Sequence, residues 1–273
     1  MSDKRIAIIG GGNLGSAIAR GLVSAGVCAP ESITVTRRSE PPLVAFREEG
    51  FRTTTDNAAA ARDAAVVLVA VRPKQMNGAL EGIAPILDPK RHVLISTATD
   101  VRIADIRKHV GDAVPVIRAM PNIGVAVGES MTCLACEPPT PERAREVATS
   151  IFSALGRTAF LDEDQMTPAT ALCACGIAFF LRAIRAASQG GVQVGFHADE
   201  AIRLAAQTAK GAAELILAEN AHPESLIDTV TTPLGVTIAG LNEMEHQGFS
   251  SALIRGIVTS AERAARLYGE KGG

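Results

Sequence analysis

Two clusters near the start of the chain have the residue types and spacing to hold a phosphorylated ligand. Ile6-Ala7-Ile8-Ile9 runs straight into Gly10-Gly11-Gly12-Asn13-Leu14-Gly15, which satisfies G-x-G-x-x-G, and the helix-like segment Ser16-Ala17-Ile18-Ala19-Arg20-Gly21-Leu22 follows at once. Gly10 suits a tight turn, Gly12 lets backbone approach a pyrophosphate, and Gly15 allows a helix to pack closely on a strand. A helix that starts there offers unpaired N–H groups and the positive end of its dipole to phosphate. The glycine pattern alone is weak, but here it follows a strand pattern and opens a helix, as a dinucleotide site requires. The second cluster is Thr36-Arg37-Arg38-Ser39. An NAD site places an acid about 20 residues beyond the glycines, to accept from the ribose 2′-hydroxyl. Two guanidiniums flanked by hydroxyls would instead bind a 2′-phosphate through charge-assisted hydrogen bonds. Glu40 falls too far into the next turn to act as the acid. The reading is NADPH, with NADH as the weaker alternative; a merely solvated basic loop is the bland one.

The remaining reactive side chains read as structural. Cys28, Cys133, Cys136, Cys173 and Cys175 are an odd number of cysteines, and no signal peptide is visible, which fits reduced thiols better than a disulfide framework. Cys133 and Cys136 form a C-x-x-C, but Met131–Ala135 reads as strand, where residues three apart face opposite ways. Cys173 and Cys175 are too close for ordinary zinc spacing and lack a second ligand pair. No metal is expected, and the thiols read as small packing residues. His92, His109, His197 and His246 read as surface or capping residues.

The elements that would position the glycine and arginine clusters alternate β and α. Candidate strands are Arg5–Ile9, Ser32–Thr36, Ala65–Ala70, His92–Ser96, Val114–Arg118, Met131–Ala135 and Thr158–Leu161. Several are continuous Val/Ile/Leu/Ala runs, as expected of strands buried on both faces. Helical patterns separate them at Leu14–Ala25, Pro42–Glu49, Arg102–Val110 and Pro141–Leu155, which implies a parallel sheet with helices on both sides. From Asp162-Glu163-Asp164 onward β-branched clusters thin out and Ala, Leu, Ile and Glu dominate. Asp199 can cap a helix running to Glu219, Pro223 suits the first turn of another, and Ser250 can cap the last, through Tyr268; Gly269–Gly273 reads as a frayed end. The fold class is α/β, with an N-terminal Rossmann domain over 1–161 and an all-α domain of roughly five helices over 162–273. The Ala-rich faces Ala169–Ala187 and Ala201–Ala213 suit close helix packing, including packing between subunits.

Composition removes several classes of function. The chain has 273 residues, 47% apolar, and a net charge of −2 without long runs of one sign. That argues against a nucleic-acid surface or an anionic-membrane patch, and one Tyr with no Trp leaves little to stack bases on. Lys4 and Arg5 precede an apolar run too short for a secretory signal. Ala64–Val71 and Ala171–Leu181 fall short of the roughly 20 residues of a membrane helix. The expectation is a cytoplasmic protein with no membrane and no nucleic-acid partner.

Beyond the glycine loop, the chain resembles the pyrroline-5-carboxylate reductase family over nearly its whole length. Val71-Arg72-Pro73-Lys74 is similar to the family's Val-Lys-Pro-Gln segment by the cofactor ribose. Ala119-Met120-Pro121-Asn122 with Val127-Gly128-Glu129 is similar to its stretch beside the nicotinamide. Gly190-Gly191-Val192-Gln193-Val194-Gly195, Ala205-Ala206-Gln207-Thr208 and His222-Pro223 match in the helical half. Asp228-Thr229-Val230-Thr231-Thr232-Pro233-Leu234-Gly235-Val236-Thr237-Ile238-Ala239-Gly240-Leu241 resembles the family signature and is far more specific than the glycines.

The resemblance implies reduction of the cyclic imine Δ1-pyrroline-5-carboxylate to L-proline, in a dimer interlocked through the helical domain and often assembled further. It implies cofactor binding by Gly10, Gly12, Asn13, Leu14, Gly15, Thr36, Arg37, Arg38, Ser39, Asn57, Val71, Arg72, Pro73, Met120, Pro121 and Asn122. Thr232, Gly235, Val236 and Thr237 would surround the substrate where the Rossmann domain meets the helical dimer, with Thr237 as the catalytic hydroxyl. Two segments depart from the family. Leu234 stands where the family has the first glycine of Pro-Gly-Gly-x-Thr, so a φ > 0 there would leave it strained. Cys173-Ala174-Cys175-Gly176-Ile177-Ala178-Phe179 replaces Ser-Gly-Ser-Gly-Pro-Ala-Tyr. The alternatives are an NADP-dependent reductase of a different imine and a non-catalytic NADP(H)-binding sensor. A β-hydroxyacid enzyme would need a Lys followed by Asn, which the surroundings of Lys210 do not provide.

Overall fold

The structure, a computed structural model, describes residues 5–266. Eight strands form one sheet in the order β3-β2-β1-β4-β5-β6-β7-β8: β1 Ile6–Ile9, β2 Ile33–Thr36, β3 Arg52–Thr54, β4 Val66–Val69, β5 Val93–Ser96, β6 Val116–Met120, β7 Ser130–Ala135 and β8 Gly156–Phe160. Neighbours pair in parallel, except that β6 and β7 run antiparallel. The helices between them are α1 Asn13–Ser24, α2 Val44–Glu48, α3 Asn57–Asp63, α4 Met76–Ile83, α5 Ile103–Val110 and α6 Glu142–Ser153. Every sequence-predicted strand is present, and β3, α3 and α4 are additions to that reading.

The period-two alternation of β1 explains the layers. Ile6 and Ile8 point to one face, into a cluster with Ile18, Leu22 and Phe152. Ala7 and Ile9 point to the other, against Ala60, Ala61, Leu80 and Ile83. All four residues of β1, and likewise of β4 and β5, are buried, as central strands covered on both faces must be. His92 corrects the surface reading: it is 1% exposed, its Nδ1 accepts from the Asp88 N–H at 2.8 Å, and its Nε2 lies 3.2 Å from the Ala61 carbonyl.

The rest of the chain is α7 Met166–Ala169, a π-helical turn Thr170–Cys175, α8 Gly176–Gln193, α9 Ala198–Glu219, α10 Pro223–Thr229, α11 Val236–His246 and α12 Phe249–Ala264. Pro223 starts α10 as expected. His197, not Asp199, holds the cap position of α9, and Asp199 lies in the first turn, where its charge complements the helix dipole. Ser250 lies inside α12 and donates to Glu245 Oε1 at 2.6 Å. The expected continuation to Tyr268 and the frayed Gly269–Gly273 lie outside the described residues. Because the π-helical turn joins α7 to α8, Glu163–Gln193 is, among the described residues, one helix long and apolar enough by length and composition to cross a membrane. The separate apolar runs in the sequence did not reveal that length.

Two compact units result. Among the described residues, one comprises 5–175 together with 260–266, and the other is Gly176–Thr259. The composition changes at Asp162, earlier than Gly176, because the intervening residues pack on the sheet. Met166 and Ala169 join Met120, Cys133 and Ala135 in one apolar cluster. Glu163 lies 3.1 Å from Arg118 Nη1, with side chains 10% and 3% exposed, and accepts the Ile103 N–H at 2.6 Å. Arg118 Nε and Nη2 have no hydrogen-bond partner, so Glu163 is the contact that neutralises this buried cation. The second unit is different in kind: only Gly176, Ser188 and Ala201 are buried within it, and Gly191 faces Ala201 where α8 meets α9.

Removing one member of a buried ion pair strands the other charge, at about 3–5 kcal/mol. Glu163→Ala is expected to lose that much in urea unfolding, and Glu163→Leu combined with Arg118→Met to recover most of it. A loss below about 1 kcal/mol, the range of exposed pairs, would show that the pair does not anchor this segment.

Candidate functional site

Parallel pairing puts the carboxyl ends of β1, β2, β4, β5 and β6 on one edge of the sheet. The chain leaves β1 toward β2 and later returns to β4 on the other side of β1, so a crevice opens there, at the switch point where open α/β sheets bind ligands. A cleft of about 990 Å³ occupies this position. Of the residues that the sequence offered for cofactor binding, Gly10, Gly12, Asn13, Leu14, Arg37, Arg38, Ser39, Asn57, Val71, Arg72 and Pro73 line it.

Two glycines make the floor. Gly10 has φ +103°, and a Cβ there would lie 2.6 Å from the Ala70 carbonyl oxygen. A Cβ on Gly15 would lie 2.2 Å from the Gly10 carbonyl oxygen, so α1 can stand this close to the β1 turn only with glycine at that position. Gly15 therefore acts below the cleft rather than in its lining. Gly12 caps α1 without a side-chain hydrogen bond, which leaves first-turn N–H groups facing the cleft. Thr36 is also beneath it: 1% exposed, its Oγ1 accepts the Gly10 N–H at 3.3 Å and donates to Asn57 Oδ1 at 2.7 Å. Arg37 Nη1 donates to the Gly11 carbonyl at 2.6 Å. With its amide oriented by its neighbours, Gln75 accepts from Arg38 at 3.2 Å. Glu40 turns away to pair with Arg47.

No carboxylate is among the described residues lining the cleft. Its charged groups are Arg37, Arg38 and Arg72, and a phosphorylated dinucleotide fits that donor set. Met120, Pro121 and Asn122 are not in the lining. Met120 ends β6 on the same edge, one strand beyond β5, and Pro121 and Asn122 follow it. Met120 is buried, and Asn122 is tied down, accepting the Gly124 N–H at 2.8 Å and donating to the Cys173 carbonyl at 3.0 Å. Thr97, Ala98 and Thr99 do line the cleft and were missed. They follow the predicted strand His92–Ser96, so its carboxyl end was the available signal.

The second unit carries Thr232, Gly235, Val236 and Thr237 together at the start of α11. The Gly235 N–H donates to the Thr232 carbonyl at 2.9 Å, Gly235 occupies the cap position, and no side chain caps the helix. Neither Thr232 nor Thr237 caps α11 through its side chain. Leu234 has φ +59° and a fully exposed side chain. The left-handed region costs a non-glycine residue about 1–2 kcal/mol, so the strain expected at this position is present.

Leu234→Gly would remove that strain against about 0.5–1 kcal/mol of added chain entropy, whereas a β-branched residue fits this region worst. Urea unfolding is expected to rank Leu234→Gly at or above the parent and Leu234→Val below it. Equal stability for Gly and Val would contradict the left-handed turn.

With the geometry in place, comparisons give the chain its relatives. Residues 163–267 match the family model for pyrroline-5-carboxylate reductase dimerisation, and residues 5–100 match that for NADP oxidoreductase, coenzyme F420-dependent. Pyrroline-5-carboxylate reductase 1 of Dictyostelium discoideum is 49% identical over 98% of this chain, which spans about half (51%) of that relative's length. Pyrroline-5-carboxylate reductase 2 of the same organism is 45% identical over 97% of this chain and 93% of its own. The crystal structure of Plasmodium falciparum pyrroline carboxylate reductase with NADP bound has a TM-score of 0.89 at 24% identity, covering 98% of this chain and 99% of that one; at that identity the likeness is one of fold. Near-full-length identity at this level, with a Rossmann cleft ahead of the matched dimerisation segment, makes this chain a member of the pyrroline-5-carboxylate reductase family.

Proposed function

We propose that this chain reduces Δ1-pyrroline-5-carboxylate to L-proline with NADPH, and with NADH less well. The observation that carries the reading is the acid-free, arginine-lined cleft at the switch point, in a chain of this family. Asn13 and Leu14, at the start of α1, present backbone N–H groups to the pyrophosphate. Arg37, Arg38 and Ser39 hold the 2′-phosphate, and Thr36 with Asn57 fixes the turn beneath. Val71, Arg72 and Pro73 flank the ribose, and Met120, Pro121 and Asn122 bound the nicotinamide end. When bound, NADPH supplies the hydride. The protein's own task is to position and polarise.

In the helical domain, proposed as residues 162–273, the Thr237 hydroxyl donates to the imine nitrogen, which makes the C=N carbon a better acceptor. Uncapped N–H groups at the start of α11 hold the substrate carboxylate, and Thr232, Gly235 and Val236 shape its surroundings. No metal is needed. Leu234, left-handed where the family has glycine, favours one second reading, in which the imine accepted differs in ring size.

The functional particle is proposed to be a homodimer formed through the helical domain. Phe180, Leu181, Val194, Phe196, Leu204 and Leu217 are each about half exposed or more in the single chain, a density of apolar surface that marks an interface. A second copy, rather than lipid, covers it, in keeping with the match to a dimerisation model. The protein is placed in the cytoplasm, with no nucleic-acid partner.

NADPH oxidation with pyrroline-5-carboxylate, run beside NADH and a piperideine carboxylate, tests the assignment; tight NADPH binding without turnover on any imine would favour the sensor. Arg37→Ala with Arg38→Ala is expected to raise the KM for NADPH about tenfold or more, as loss of charged hydrogen bonds implies, with little effect on NADH. Equal changes for both coenzymes would remove the 2′-phosphate role. Thr237→Ala is expected to lower kcat about a hundredfold, the scale of losing one positioned donor, with NADPH affinity retained. Unchanged turnover would take Thr237 out of the mechanism.

A further inference from the structure

The cysteines read from sequence as inert packing residues are arranged otherwise. Cys133 on β7 and Cys173 in the π-helical turn, 40 residues apart in the chain, bring their sulfurs within 3.8 Å. Cys136 faces away from this pair and accepts from Arg145 Nη1 at 3.2 Å, so the C-x-x-C is not the reactive unit. Cys133 is 3% exposed and Cys173 is partly exposed. Met120, Ala135, Met166 and Ala169 pack around them, and of the two sulfurs Cys173 is the one nearer solvent.

The pair is wired to the nicotinamide-side segment by two contacts. Cys133 is the register partner of Met120 across the β6–β7 ladder, so their side chains lie side by side on one face. The Cys173 carbonyl accepts from Asn122 Nδ2 at 3.0 Å. A disulfide needs its sulfurs about 2.0 Å apart, so closing the gap pulls the π-helical turn, and Asn122 with it, toward β7.

We propose that Cys133 and Cys173 form a reversible oxidation site, closed to a disulfide by hydrogen peroxide and reopened by a dithiol, and that closure slows turnover by displacing Met120-Pro121-Asn122. The two sulfurs are hydrogen-bond partners; that contact holds the Cys173 pKa down to about 7, and the same hydrogen bond, followed by burial, pushes Cys133 up. Cys173, the more exposed of the two sulfurs, is the nucleophile. Its thiolate attacks the peroxide oxygen: an S–O bond forms, the O–O bond breaks, and hydroxide leaves and takes up a proton, giving Cys173 sulfenic acid. The Cys133 sulfur then attacks the Cys173 sulfur; the S–S bond forms, the S–O bond breaks, and water leaves with the Cys133 proton. Two thiols lose two electrons and the peroxide is reduced to two waters. Dithiothreitol reverses this by two exchanges, ending as its own cyclic disulfide.

The bond itself does not depend on the proposed activity, whereas its effect on turnover rests on the reductase reading, so the two are measured separately. The full chain is treated with equimolar hydrogen peroxide, free thiols are blocked with N-ethylmaleimide, and the digest is mapped by mass spectrometry. The expected result is one linked peptide pair carrying Cys133 and Cys173, lighter by two hydrogens and released by dithiothreitol. NADPH oxidation with pyrroline-5-carboxylate is expected to fall severalfold on treatment and return on reduction. Cys133→Ser and Cys173→Ser are each expected to keep their own untreated rates in peroxide, while Cys175→Ser behaves as the parent. Linkage to Cys175 or Cys136, or Cys173 carried to the sulfinic acid without linkage, would overturn the site. A mapped disulfide with undiminished turnover would overturn the coupling. No turnover before treatment would count against the reductase reading and leave the peptide map to decide the bond.

Discussion

The contact on which the cleft depends is the one between Gly15 and the carbonyl of Gly10. A methyl group at position 15 would sit 2.2 Å from that oxygen, far inside any van der Waals distance, so α1 reaches its place only because the side chain is absent. From that approach the rest follows. Ile18 and Leu22 of α1 come down on Ile6 and Ile8 of β1, fixing the rotation of the helix. Its uncapped start then faces the cleft, where the free N–H groups can meet phosphate. Thr36 and Arg37 grip the turn from the β2 side through Gly10 and Gly11, so Arg37 serves the scaffold as well as any ligand. Its remaining N–H groups, with those of the more exposed Arg38 that Gln75 does not take up, are what the turn offers to an anion.

Much of this was legible in the sequence because it is local. The strand-glycine-helix order of Ile6–Leu22 specifies its own geometry, and the arginines at the end of β2 declare the charge of the cleft. Short elements were less legible. The three residues Arg52–Thr54 of β3 pair only with β2 at the sheet edge, and so carry too little burial pattern to read. α3 did leave a signal in Asp56, whose Oδ1 accepts the N–H groups of Ala58 and Ala59 at 2.8 and 3.1 Å. Capping readings failed where several polar residues competed: Asp199 and Ser250 are each one or two positions inside the helices they were to open. The Cys133–Cys173 approach could not be read locally, since it depends on the β6–β7 register and on the extra width of a π-helical turn.

The two units handle charge and apolar surface in opposite ways. The sheet-bearing unit encloses its apolar side chains and even an ion pair, with Glu163 fastening the chain beyond β8 to Arg118 of β6. The segment leading toward α8 is therefore set by a specific electrostatic contact rather than by composition, which is why the compact boundary falls at Gly176 and not at Asp162. The Gly176–Thr259 unit buries almost nothing of its own, and isolated helices of this kind draw their stability from what their apolar faces meet. Its match to a dimerisation model gives those exposed faces a physical role.

Of the two segments singled out above as departing from the family pattern, that of Leu234 carries backbone strain and that of Cys173 does not. At Leu234 a left-handed backbone persists without the glycine that would relieve it, beside the uncapped start of α11. Strained conformations survive only where the surrounding structure over-determines them, and such sites cluster where ligands are held. At Cys173 a thiol stands where the family has a hydroxyl, and the effect is not simple packing, because a second thiol on β7 meets it in an apolar pocket beside Met120. A serine at 173 would leave Cys133 with a neighbour that cannot be cross-linked; a cysteine there makes the same position oxidisable. One substitution changes the backbone energy of a loop and the other changes the chemistry available beside Met120 at the end of β6, and neither residue is among the described residues that line the cleft.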